Sequence, residues 1–305
     1  MKKIIFFLML AVSATPFIKS HHALLMGIIL GLIFQNPYPK ESANASKQLL
    51  KLAVVGLGFG VPLYKVIEVG KNSILFTFVG IIFVITVGFI IGKYMKIEAN
   101  ANKLISFGTA ICGGSAIAAL SPVIDANEKE IAISLGVVFS LNALGLILFP
   151  PIGHFFGMSQ HAFGAWAALA IHDTSSVVGA TSVYGNEALM VGTTVKLSRA
   201  LWIAPFVIFF SLKNRKGGKI NLPYFILFFI LAAFINSYFQ SLKTFWDFLY
   251  VCSKQLLVIT LFLIGTGITK DTLKRVGLKP IIFGIVLWII VGISSYFAVI
   301  NFNLI

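Results

Sequence analysis

The sequence predicts an all-α membrane protein, a polytopic bundle of about eleven transmembrane helices, and three observations carry that expectation. Apolar runs of roughly 20 residues, enough to cross about 30 Å of hydrocarbon, recur along the chain with only short polar breaks. Of the 305 residues, 58% are hydrophobic and 11% charged, with a mean hydropathy of +0.96; soluble domains carry about 25% charged residues. The runs are continuously apolar rather than alternating. Lipid offers no partner to backbone N–H and C=O groups, so continuous runs select helices over a barrel. A single transmembrane domain over 1–305 is expected, with no soluble domain beside it.

The segments fall near 3–19, 22–36, 48–65, 73–92, 103–124, 130–150, 162–183, 188–210, 222–239, 246–269 and 280–301. An odd count places the termini on opposite sides. With Met1 in the cytoplasm, the inner side collects Lys2, Lys3, Lys40, Lys47, Lys93, Lys96, Lys103, Lys213, Arg215, Lys216, Lys219, Lys270, Lys274, Arg275 and Lys279, against Lys19, Lys65, Lys71, Lys129, Lys243 and Lys254 outside. That bias predicts a cytoplasmic N-terminus and an extracytoplasmic C-terminus. It also accounts for the net charge of +14 without nucleic acid, because the basic residues lie mainly in short loops. Cys112 and Cys252 are too few for a disulfide framework and match no metal spacing. Lys2 and Lys3 before the apolar stretch Ile4 to Val12, with A-V-S-A at 11–14, also fit a signal peptide, whose removal leaves ten spans; the uncleaved form is favoured because the second segment follows at once.

An internal repeat is visible at an offset of 207. S-K-Q-L-L-K-L-A-V-V-G-L-G-F-G from Ser46 reappears as S-K-Q-L-L-V-I-T-L-F-L-I-G-T-G from Ser253, and Gly58 and Gly60 fall on Gly265 and Gly267. The related segments, 46–92 and 253–301, begin with spans that cross in opposite directions. This predicts an inverted-topology repeat, the architecture of many alternating-access transporters, with chance likeness of apolar sequences as the competing account. A looser echo links A-I-C-G-G-S-A-I-A-A from Ala110 to A-I-H-D-T-S-S-V-V-G-A from Ala170. Those two segments run the same way in this topology, so one does not span fully, the second repeat is permuted, or function alone made them alike.

The chemistry concentrates in a core at about 103–210. Paired glycines in C-G-G-S, Cys112, Gly113, Gly114 and Ser115, predict a broken helix whose half-helix N-terminus suits an anion; tight packing through small residues is the plainer alternative. His172, Asp173, Thr174, Ser175 and Ser176 form a polar run near the middle of the seventh segment. Ionisable groups at that depth cost several kcal/mol unless paired, and mark substrate or proton pathways. Lys196 and Arg199 lie about 13 and 18 Å beyond Glu187 at 1.5 Å per residue, on one helix face and at the depth of Asp173. Two cations and one carboxylate leave one positive charge, which favours a small anion as substrate. Asp173, with His172, is the candidate for proton coupling. Asp125, Glu128 and Glu130 read as a solvated turn, and His21 and His22 have no further metal ligands nearby. No metal or cofactor is expected.

These motifs together resemble the bacterial YeiH-type sulfate-exporter family, grouped with the cation/proton antiporter and anion transporter superfamily. The likeness spans nearly the whole chain and rests on A-I-C-G-G-S-A-I-A-A-L-S-P-V-I at 110–124, A-I-H-D-T-S-S-V-V-G-A at 170–180, K-L-S-R-A-L-W-I-A-P at 196–205 and L-I-G-T-G-I-T at 263–269. It implies an inner-membrane carrier with a mobile core of broken helices and a scaffold that can form a homodimer, moving sulfate, sulfite or an organic sulfonate. An ATP-driven pump is disfavoured because no G-x-x-x-x-G-K-[ST] occurs. An anion channel is the main alternative. An intramembrane enzyme built on His172, Asp173 and Ser175 is disfavoured, with neither H-E-x-x-H nor G-x-S-x-G present.

Overall fold

The computed structural model describes residues 2–18, 20–214, 224–267 and 277–302, and among these all regular structure is helical. The helices are α1 Lys2–Ser13, α2 Ser20–Ile29, α3 Pro39–Leu57, α4 Leu63–Tyr94, α5 Ala99–Ala110, α6 Gly114–Leu120, α7 Glu128–Phe155, α8 Gln160–Ala170, α9 Thr174–Tyr184, α10 Asn186–Leu201, α11 Ile203–Asn214, α12 Tyr224–Tyr238, α13 Lys243–Thr266 and α14 Leu278–Phe302. Among the described residues five stretches are long and apolar enough to cross a membrane: Leu63–Tyr94, Lys129–Phe155, Asn186–Phe210, Gln240–Thr266 and Leu278–Asn301. His22–Phe34 and Tyr224–Tyr238 are shorter apolar helices. The segments expected at 103–124 and 162–183 are each two short helices, α5 with α6 and α8 with α9. The basic residues Lys19, Arg215, Lys216, Lys219, Lys270, Lys274 and Arg275 lie outside the described residues.

The chain divides into two compact units, 1–67 with 224–272 and 68–223 with 273–305. In the first, α13 packs against α2 and α3. Glycines facing backbone allow close approach: a methyl group on Gly265 of α13 would lie 2.6 Å from the carbonyl oxygen of Leu24 on α2, and one on Gly58, just past α3, would lie 2.5 Å from that of Phe229 on α12. The helix α1 closes this unit, with Phe6 buried against Ala23, Leu30 and Phe262, and Gln255 Nε2 donating to the carbonyls of Ser13 and Thr15.

The second unit contains the whole 103–210 core. Here α10 packs on α8 and α9, α7 on α5 and α9, and α14 on α8. The start of α7 is fixed by a capping box: Asn127 accepts from the Glu130 N–H, and the Glu130 carboxylate accepts from the Asn127 N–H. Gly164 lets α8 and α10 meet backbone to backbone, since a methyl there would stand 2.7 Å from the Ala188 carbonyl oxygen. Trp166 Nε1 donates to the Gly292 carbonyl at 2.8 Å and ties α8 to α14.

Candidate functional site

The break expected at the glycine pair is present in the second unit, and a second one interrupts the helix at 171–173, where the sequence marks only a polar run. The first helix stops at Ala110, and the chain turns through Ile111, Cys112 and Gly113 before α6 begins at Gly114. Gly113 has φ +64°, a backbone conformation that side-chain-bearing residues rarely adopt, which is what this position requires of its glycine. The second helix stops at Ala170, runs extended through Ile171, and restarts at Thr174 with Asp173 as N-cap. The carboxylate of Asp173 accepts hydrogen bonds from the Ser175 N–H and the Ser175 hydroxyl, so it occupies the positive end of α9.

The two breaks touch. A methyl group on Gly113 would sit 3.4 Å from the Cβ of Asp173 and 3.2 Å from a methyl of Val138. Asn142 on α7 holds the same turn: its Oδ1 accepts from the Asp173 N–H at 3.0 Å. Ending a helix inside an apolar unit leaves its last carbonyls without partners. At the end of α8 four consecutive carbonyls are supplied from other helices. Lys196 Nζ donates to Ala168 at 3.2 Å and to Ile171 at 2.7 Å, Arg199 Nη1 to Leu169 at 2.6 Å, and Trp288 Nε1 to Ala170 at 3.0 Å. Arg199 Nε donates in turn to the Ala110 carbonyl at 2.5 Å, the last residue of α5. Both cations therefore sit at the negative ends of interrupted helices, where aligned peptide dipoles put about half an elementary charge each.

Burial makes these contacts consequential. Lys196 is fully buried and Arg199 and His172 are 1% exposed. Hydrogen bonds to charged groups contribute roughly 1.5–3 kcal/mol each, against the several kcal/mol of holding a cation away from water. The shared depth of Lys196, Arg199 and Asp173 is compatible with a partial ion pair; among the described residues neither cation makes an ion pair with Asp173, and their donors go to carbonyls instead. Cys112, Gly113 and Ser176 are buried, Gly114, Asp173, Thr174 and Ser175 half-buried, and Ser115 exposed. Both ring nitrogens of His172, the Asn142 amide nitrogen and the Thr109 and Thr193 hydroxyls are buried and have no hydrogen-bond partner among the described residues. His172 lies 6.5 Å from the Trp288 ring, and Ser175 is engaged with Asp173 rather than with His172.

Sequence reasoning missed Asn142 and Trp288. Asn142 carried a signal, being the one amide in the apolar run V-V-F-S-L-N-A-L-G-L-I-L-F, where an unsatisfied polar group is expensive. Trp288 carried none that distinguishes it from a packing aromatic. No group of three metal-ligating side chains occurs among the described residues.

Two interrupted, mutually touching helices whose ends are neutralised by buried side chains define a polytopic membrane protein with a polar centre. The chain belongs to the family described as conserved hypothetical protein 698, whose model matches residues 2–284. It is 49% identical over 287 residues to a UPF0324 membrane protein of Geobacter sulfurreducens, covering 94% of this chain and 93% of that one. It is 48% identical to one from Bdellovibrio bacteriovorus, covering 91% and 87%, and 47% identical to one from Bacteroides thetaiotaomicron, covering 90% and 84%. No solved structure matches the chain.

Proposed function

We propose that the protein is a secondary transporter that carries a small anion, with sulfate, sulfite and organic sulfonates as candidates, across the bacterial inner membrane by alternating access. The observation that carries this reading is the meeting of two broken helices, one of them capped by Asp173, whose free carbonyls are held by the buried Lys196 and Arg199. At each break the helix that ends contributes about −0.5 and the helix that begins about +0.5, so the dipole ends cancel. Lys196 and Arg199 add two positive charges and Asp173 one negative. The remaining positive charge is what an anion neutralises.

The internal repetition supports alternating access. Shifted by the same 207 positions, α3 falls on α13 and α2 on α12. The close glycine approach recurs with them: Gly58 against α12 and Gly265 against α2. In this reading the chain crosses the bilayer eleven times, with Met1 cytoplasmic and Ile305 outside, and works as the homodimer that the resemblance implies. Asp173, with His172 beside it, exchanges the coupling proton.

Proteoliposomes decide between a carrier and a channel. Uptake of labelled sulfate or methanesulfonate should rise when the vesicles are preloaded with unlabelled anion, because only a carrier exchanges. Uptake that is indifferent to internal anion rejects the carrier. Absence of thermal stabilisation by any anion at a hundred times the highest plausible dissociation constant, where about 2.7 kcal/mol is expected, rejects the anion site.

A further inference from the structure

The second unit contains a cavity of about 230 Å³ lined by one charged residue, Arg199, and otherwise mainly by apolar side chains of α4 and α14, among them Phe76, Phe83 and Ala298. Its mouth is partly open, with Val79 and Phe83 57% and 40% exposed, and at about 30 Å³ per water it holds the equivalent of seven or eight waters, more than a bare tetrahedral anion occupies. Three features say what it accepts. Arg199 is clamped by its bonds to the Ala110 and Leu169 carbonyls, and no hydrogen bond is made by its Nη2 among the described residues. A fixed guanidinium with a spare edge is preorganised for a planar or tetrahedral oxyanion.

The hydroxyls on the wall are committed elsewhere: Ser294 donates to the Val291 carbonyl at 3.2 Å and Ser295 to the same carbonyl at 2.6 Å. Beyond Arg199 the cavity therefore offers an anion little to replace lost water, and a fully desolvated dianion would be costly there. The third feature is Gly80. A methyl added to it meets no heavy atom within 4 Å, so this position on α4 is open space along the cavity wall.

We infer that the cavity is the tail pocket of the substrate site, and that the substrate is an organic monoanion whose head pairs with Arg199 while a short alkyl chain lies between α4 and α14. This rests on the transporter reading above and narrows its candidates to aliphatic sulfonates or carboxylates. The single surplus charge at the centre matches one negative charge on the head.

The test is a binding series of methane-, propane-, butane- and hexanesulfonate, with inorganic sulfate, on the purified full chain in nanodiscs. Affinity should tighten about three- to fourfold per methylene and level off once the cavity is full. Gly80→Leu, whose Cβ meets no atom within 4 Å at this lining position, takes up pocket space and should remove most of that gain. Gly70→Leu is the control for added surface hydrophobicity, since it lies on the same helix, also has open space around it, and does not line the cavity; it should keep the full chain-length dependence. Equal binding of sulfate and all sulfonates, or a chain-length gain that survives Gly80→Leu, overturns the tail pocket while leaving an anion carrier intact. A chain-length gain lost in Gly80→Leu, without exchange in proteoliposomes, keeps the pocket and removes the transporter reading instead.

Discussion

Gly113 and Asp173 stand against each other across two helix breaks, so close that a methyl group added to the glycine would lie 3.4 Å from the aspartate Cβ. One contact therefore joins the turn that ends α5 to the residue that caps α9. Whatever displaces Gly113 displaces the carboxylate proposed to carry the proton.

Gly113→Ala places a side chain at φ +64°, costing about 1–3 kcal/mol, and presses on Asp173 and Val138. The variant should insert and fold with a lowered melting temperature and lose most of its exchange activity. Gly114→Val should likewise abolish transport while remaining inserted, because a Cβ there already stands 2.9 Å from the Phe139 ring. Normal exchange by Gly114→Val would mean that the break serves packing only.

The break at Gly113 was legible because a continuous apolar helix has no use for a glycine pair; the run of five polar side chains at 172–176 marked a site, but that the helix stops there was not legible. Nor was the direction of the cations. Spacing puts Lys196 and Arg199 on one face of α10 at the depth of Asp173, but says nothing about which carbonyls are left bare at the ends of α5 and α8. The four bonds of these cations depend on where α5 and α8 stop, which only the packing reveals. Similarly, Glu68, Gly70, Lys71 and Asn72 suggest a loop before a span at 73–92, whereas α4 runs unbroken from Leu63 to Tyr94. Glu68, Lys71 and Asn72 are exposed on that helix, so they mark a solvated or interfacial stretch rather than a turn.

Removing the Arg199 side chain leaves the Ala110 and Leu169 carbonyls unpaired, so Arg199→Ala should lower stability by about 3 kcal/mol or more as well as abolish anion binding. Arg199→Lys retains the charge but not the fork that reaches two carbonyls and a ligand together. It should bind anions at least tenfold more weakly while recovering part of the lost melting temperature. Isothermal titration alongside thermal unfolding separates the two effects, and undiminished affinity in either variant removes Arg199 from the site.

Orientation is checked by reporters. A periplasm-active reporter fused after Ile305 should be active, and a cytoplasm-active one inserted between Lys213 and Lys219 should also be active. A cytoplasmic C-terminus would overturn the eleven-crossing count.

The last expectation concerns the proton. With Asp173 ionised, the centre carries one net positive charge; with it protonated, two. Protonation should therefore tighten anion binding, and by thermodynamic reciprocity a bound anion tightens the proton by the same factor. Wild-type uptake should rise as external pH falls, and anion affinity should follow the same trend. In Asp173→Asn the centre is fixed in its neutral-carboxyl form. The amide can still cap α9 through its side-chain oxygen, so the fold and the Ser175 contact are expected to persist. This variant should bind anions at every pH about as well as the wild type does at low pH, and exchange them, while losing the pH dependence of net uptake. His172→Gln distinguishes the two candidates, because it leaves the carboxylate in place beside an uncharged neighbour. If net uptake by Asp173→Asn still responds to pH as in the wild type and that by His172→Gln does not, the proton resides on the histidine and the coupling role of Asp173 is lost.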